Sequence, residues 1–434
     1  MKKLTSLILV LCLVAGIFAG CGKQIDDGPA PNPNGPVVSG DQDPGEDIPA
    51  APGNTNVPGA DTWNGYDLTF VKDNGLEYIW ENLDNETKAN LASALTAIKN
   101  CNPFIPLEYS IDKETNDEFM KLILNCAMDY PYVVNKFGVQ DSDQDGKVDA
   151  LTAKFNFNVI ESEEDAWALT EELNARLDEI VSGMPQGTQY EQLRYLHDTL
   201  VFFSDYSEDT PFFYTAYGAL VVGKATCQGY ADAMHLLLSR AGFETCFCIG
   251  IGNNEALTHK WNYVKLDDGQ WYILDPTWAD PSDHNDDPSY ICYDYFLISD
   301  EEILKDHKVK YESPFFPVPV ATSMDMNYHK MEGYYCTSYE EALASTEEQV
   351  RLCAEEGRHY VYLRFSDANV YEQVKNDLFT ANKGDGTNGE LLRIIKEVNA
   401  EKGNVFSTSG WGRFFGYKDG QGPMTMIITL RYPE

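Results

Sequence analysis

Residues 226–278 read TCQGYADAMHLLLSRAGFETCFCIGIGNNEALTHKWNYVKLDDGQWYILDPTW, and this stretch decides the fold. Cys227 opens an apolar run in which Tyr230, Ala231, Met234, Leu237 and Leu238 recur at helical spacing until Gly242 stops it. A cysteine at a helix start faces the positive end of the macrodipole, an environment that favours thiolate. His259 begins one strand pattern, 258–266, and Asp275 ends the next, 270–275. The turn between them, Asp267-Asp268-Gly269, decides their geometry. A two-residue loop pairs 267 with 270 and puts Asp275 on the face away from His259. A three-residue loop with Gly269 left-handed pairs 266 with 270 and sets Asp275 opposite Trp261. His259 then lies one diagonal step away on the same face. A thiol acyl-transfer site needs that second register. The ordinary reading of a lone cysteine is an inert buried thiol, and the helix-start position argues against it here.

The blocks GKATCQGYADAMHLLLSRAG (223–242), HKWNYVKL (259–266) and GQWYILDPTWADP (269–281) together resemble the transglutaminase-like superfamily, most specifically over about residues 190–300. The resemblance implies an α+β chain with a papain-like core. It implies Cys227 as the nucleophile at an amide carbonyl and His259 as the base that takes the thiol proton and returns it to the leaving amine. Asp275 would orient and charge-stabilise the imidazole. The oxyanion would be held by the backbone N–H at Cys227 and one upstream side chain, with Tyr217 the candidate and Tyr214 the alternative. Trp261, Trp271, Trp278 and Tyr230 read as core and cleft walls, Asn262 as structural. The acyl-enzyme could pass to water or to an amine, and no residue chooses between them. The competing reading is a non-catalytic transglutaminase-like module for binding or assembly, against which the intact Cys/His/Asp set argues.

The rest of the chain sets the context. Lys2 and Lys3 precede an apolar run, 4–18, that is short for a membrane span and laid out as a secretory signal. Ala19-Gly20-Cys21 resembles a bacterial lipobox, which implies a lipid on Cys21 and an anchor on the outer face of the cell membrane. Residues 21–60 form a Pro/Gly-rich linker with almost no large apolar side chain to bury. A net charge of −37 argues against nucleic-acid partners. The expected partners are an extracellular protein or peptide substrate and, through lipid alone, the membrane. Of ten cysteines, those outside positions 12, 21 and 227 number seven, so they cannot all pair, and no ligand spacing points to zinc.

A mixed α/β region is expected over 61–160, with helices at 85–99 and 116–128. The transglutaminase-like domain should cover 161–320, entered by helices at 162–181 and 190–203. A small α/β domain should cover 330–434, with helices at 339–356, 370–378 and 390–398 and strands at 359–365 and the terminus. In DSDQDGKVD, Asp141, Asp143, Asp145 and Asp149 with Gly146 follow a calcium-loop pattern. Thr152 stands where the closing Glu is expected, and the flanks read as a hairpin, so an EF-hand is excluded. The loop reads equally as a structural calcium turn or a solvated acidic turn. The acyl-transfer chemistry itself requires no cofactor.

Overall fold

Local signals in the sequence set the bounds of most helices. The structure, a computed structural model, describes residues 62–128, 134–155, 163–252, 258–280, 290–309, 315–379, 389–409, 411–416 and 422–433. The signal, Cys21, the linker and all but the first residue of the acidic run 280–287 lie outside the described residues. Among the described residues no helix is long and apolar enough to cross a membrane.

The chain divides into two units, one of residues up to Ile291 with Lys308–Ala321, the other of Cys292–His307 with Thr322–Glu434. In this division residues 62–155 fall in one unit with 163–280, and 292–307 falls with the C-terminal residues. Polar ties hold 292–307 in the second unit. Within that unit Arg364 bonds the Asp294 carbonyl at 2.9 Å and the Glu302 carboxylate, and Thr425 donates to Asp294 at 2.7 Å.

In the first unit, α1 (Asn85–Lys99) starts at Asp84, whose carboxylate accepts the Thr87 amide at 2.9 Å. It packs on β1 (Phe104–Asp112), which leads into α2 (Lys113–Cys126). The hairpin β2 (Val134–Gln140) and β3 (Lys147–Phe155) completes an antiparallel sheet of order β1-β3-β2. Two helices follow: α3 (Glu163–Ser182), and α4 (Gln189–Phe203) with a Thr188/Glu191 capping box. Next comes α5 (Cys227–Arg240), whose Tyr230, Ala231, Met234, Leu237 and Leu238 are all fully buried. Each large side chain so buried contributes roughly 1.5–3 kcal/mol. Under α5 lie β4 (Glu244–Ile251), β5 (Thr258–Lys265) and β6 (Trp271–Leu274), joined at the edge by β7 (Lys308–Val309) in the antiparallel order β6-β5-β4-β7. Two short helices, Thr69–Asp73 and Glu77–Asn82, come before α1. The carbonyl of Gly75 between them lies 3.1 Å from His235 Nε2 on α5, where burial drives the imidazole down to about 3.

The second unit contains β8 (Tyr335–Cys336), α6 (Tyr339–Glu356), β9 (Tyr360–Phe365), α7 (Ala368–Phe379), α8 (Glu390–Lys402), β10 (Gly412–Phe415) and β11 (Thr425–Thr429). Its sheet runs β8-β9-β11-β10, parallel only at β8–β9. Val350, Cys353, Leu363, Tyr371, Ile395 and Ile428 lie in its core. Among the described residues Cys101, Cys126, Cys246, Cys248, Cys292, Cys336 and Cys353 are buried, and Cys227 is half-exposed.

Candidate active site

Thr226 is extended, and its amide donates to the Phe213 carbonyl at 2.8 Å. Gly229 completes the contact: a Cβ there would stand 2.8 Å from the Thr215 carbonyl. The loop 213–215 thus lies against the first turn of α5, and Cys227 is the first residue of that turn. The thiol lies 3.9 Å from the carbonyl of Thr258, the first residue of β5. The nucleophile candidate and the strand that carries His259 therefore meet at their starts.

The β5–β6 turn settles the register. Leu274 pairs with Asn262 and Trp271 with Lys265, and Leu266 N bonds Gln270 O at 3.1 Å. Gly269 has φ +78° and donates to the Leu266 carbonyl at 2.9 Å. This is the three-residue loop that a shared face requires. Asp275 comes opposite Trp261, and His259 Nε2 lies 2.6 Å from Asp275 Oδ2. Asp275 is fully buried, and its other oxygen accepts the amides of Thr277 at 3.1 Å and Trp278 at 3.3 Å. With Nε2 engaged, Nδ1 is the ring nitrogen left for Cys227, whose thiol hydrogen-bonds the imidazole. Burial pulls His259 down. The charge and hydrogen bond of Asp275, then those of Cys227, outweigh it and raise the imidazole to about 10.

Residues 177–276, which include all three side chains, match the family model of the Transglutaminase-like superfamily. The chain carries a transglutaminase-like domain. A search of the curated proteins gives no match. Among solved structures, one described as a TGase is 13% identical, with a TM-score of 0.24, and is covered over 50% of its length by 40% of this chain. A putative cysteine protease from Cytophaga hutchinsonii is 13% identical, with a TM-score of 0.21, and is covered over 51% by 30% of this chain. The chain thus spans about half the length of each.

Two tryptophans pack near His259. The Trp261 and Trp278 rings lie 6.0 Å and 5.8 Å from that of His259. Gly250 makes room for the first, since a Cβ there would stand 2.1 Å from the Trp261 ring. Asn262 donates to the Ala231 carbonyl at 2.9 Å, a structural bond. The Tyr217 hydroxyl donates to Glu172 on α3 at 2.7 Å, and burial with that carboxylate raises its pKa. A hydroxyl engaged by a carboxylate is a poor oxyanion ligand, and the expectation for Tyr217 is corrected on that ground.

Two carboxylates near the site carry no chemical signature in the sequence. Asp280 accepts from the Tyr230 hydroxyl at 2.5 Å and the Tyr206 amide at 2.9 Å. Asp232 pairs with Lys260. Away from this site, ligand oxygens of Asp141, Asp143 and Asp145 lie within 4.8 Å of one another. Asp149 instead accepts from the Ser142 amide at 2.8 Å and hydroxyl at 3.1 Å. Lys113 pairs with Asp141 Oδ2 at 3.0 Å, whereas Asp141 Oδ1 has no hydrogen-bond partner.

Proposed function

We propose that the domain is a cysteine-dependent enzyme that forms a thioester at an amide carbonyl of an extracellular protein or peptide. The observation that carries this reading is the buried His259–Asp275 bond of 2.6 Å, with the thiol of a helix-initiating Cys227 on the same imidazole. Cys227 Sγ attacks the carbonyl carbon with its proton already held on His259 Nδ1, in the imidazolium form that Asp275 favours. The backbone N–H of Cys227, at the start of α5, faces the developing oxyanion. The tetrahedral adduct collapses by expelling the amine, which leaves with the proton held by His259. Water or a second amine then attacks the thioester, with His259 accepting its proton. Asp275 holds the ring in orientation and stabilises its cationic form.

The same reading places the domain outside the cell, held by lipid on Cys21, which residues 1–21 support as a pattern. To test the chemistry, the protein is given a glutamine-containing peptide with and without a primary amine, then quenched in acid for mass spectrometry. The expected result is an acyl adduct on the Cys227 peptide, absent in Cys227→Ser, with its product divided between hydrolysis and conjugation to the amine. Absence of any adduct on Cys227 across a panel of amide substrates would overturn the reading.

A calcium ion held by Asp141, Asp143 and Asp145 belongs to this proposal as a structural element. The converging oxygens and the free Asp141 Oδ1 fit it, provided Lys113 swings aside. Calorimetry should detect calcium binding with Kd on the order of 10⁻⁴–10⁻³ M, abolished by Asp143→Ala. A titration of the wild type without heat in that range removes the ion.

A further inference from the structure

The chain neighbours of Cys227 and His259 end on the same buried carboxylate. Asp232, on α5, is 4% exposed in its side chain, and Lys260 Nζ, on an equally buried side chain, reaches its Oδ1 at 2.5 Å. Gln228, directly after Cys227, acts on the same carboxylate and draws its pKa down. Lys260, directly after His259, also sets its ammonium 4.1 Å from the centroid of the Phe247 ring on β4.

Successive residues of β5 face opposite sides of the sheet. His259 therefore meets Asp275 on one face, while Lys260 and Asn262 meet α5 on the other. Both bonds across that second face are directional: Lys260 to Asp232, and Asn262 to the Ala231 carbonyl. The apolar contacts of α5 are not directional, and they tolerate small slides of helix along strand. A buried ion pair adds little net stability, because desolvation offsets its attraction. Burial indeed raises the Asp232 carboxyl above its ordinary range although Lys260 and Gln228 pull it down. The pair is poorly explained as a source of stability and well explained as a device of register.

We propose that Gln228, Asp232 and Lys260 form a positioning clamp that fixes the first turn of α5 against β5, so that the Cys227 thiol stays on the His259 ring. The proposal rests on the thiol-enzyme reading above for its consequence in rate, but not for its consequence in structure. A displacement of about 1 Å between reacting groups lowers rates on the order of a hundredfold.

The test replaces the pair by apolar side chains of similar volume, Asp232→Leu with Lys260→Met. The expected melting temperature is at or above that of the wild type. Amides 227–230 should exchange hydrogen faster than in the wild type, and alkylation of Cys227 by iodoacetamide should slow by about tenfold or more. Wild-type exchange together with wild-type alkylation in a folded double variant overturns the clamp. Gln228→Ala, which leaves the ion pair in place, covers the case in which the double variant does not fold. It should retain the wild-type melting temperature and expose amides 227–230 to faster exchange, and unchanged exchange there also overturns the clamp. His259→Ala separates the two ideas. If it alkylates as fast as the wild type, the enzyme reading fails, and the exchange rates alone decide the clamp.

Discussion

Replacing His259 with alanine will slow acylation of Cys227 by about 10²–10⁴-fold, the usual contribution of a positioned acid–base group. The variant loses both the acceptor of the thiol proton and the donor to the leaving amine. The thiol's contact with the Thr258 carbonyl, at 3.9 Å, can serve neither purpose. The same substitution will also destabilise the fold. Asp275 is fully buried and would lose the His259 bond to Oδ2, although Oδ1 keeps the Thr277 and Trp278 amides. Breaking a buried pair by removing one member costs about 3–5 kcal/mol. His259→Gln separates the two effects, because an amide can donate to Asp275 but cannot shuttle a proton near neutral pH. Thermal melts should show Gln recovering part of the stability lost in Ala, while single-turnover acylation stays at the Ala level. A Gln variant that acylates at the wild-type rate would mean that His259 is not the base.

The parts of this fold that were legible in the sequence are those specified by near neighbours. Asp84 and Thr188 cap helices three residues upstream of the amides they bond, and α6 begins and ends where its apolar spacing does. Asp267-Asp268-Gly269 fixes a register, and the register puts His259 and Asp275 on one face. The unforeseen parts depend on contacts across long separations or on segments too short to show a period. Thr69–Asp73 and Glu77–Asn82 are barely more than single turns, and β10 alternates too weakly in burial to read as a strand. The assignment of 292–307 to the C-terminal unit depends on Arg364, far along the chain. Lys260 was illegible for another reason. A lysine in an alternating strand reads as a solvent-facing residue, and only the placement of α5 over that face reveals a buried charge. The partner of the Tyr217 hydroxyl is illegible likewise, since Glu172 comes from a separate helix.

Exchanging Asp275 for asparagine will move the alkaline limb of acylation to lower pH by more than one unit and lower the rate at pH 8 by about 10- to 10³-fold. In the wild type the carboxylate charge outweighs burial and holds the imidazole protonated up to about 10. The imidazolium that protonates the leaving amine therefore persists across the neutral range. Asparagine retains an acceptor for Nε2–H but not the charge, and burial then drives the imidazole down. Stability must follow with a definite sign. Because the folded-state pKa of His259 is raised above the unfolded value of about 6.5, its stabilising contribution is full below that pH. The contribution drains as pH climbs toward 10, so the wild type should lose stability across that window, and Asp275→Asn should lose much less of it. Acylation rates and melting temperatures measured from pH 6 to pH 10.5 on both proteins test the two halves together. An asparagine variant whose limb stays near 10 would show that the Cys227–His259 pair sustains its own charge, leaving Asp275 only to orient the ring. The electrostatics thus trace back to one left-handed glycine. Gly269 allows the loop that pairs 266 with 270, that pairing places a carboxylate beside His259, and the carboxylate sets the pH range over which the thiol and imidazole can work.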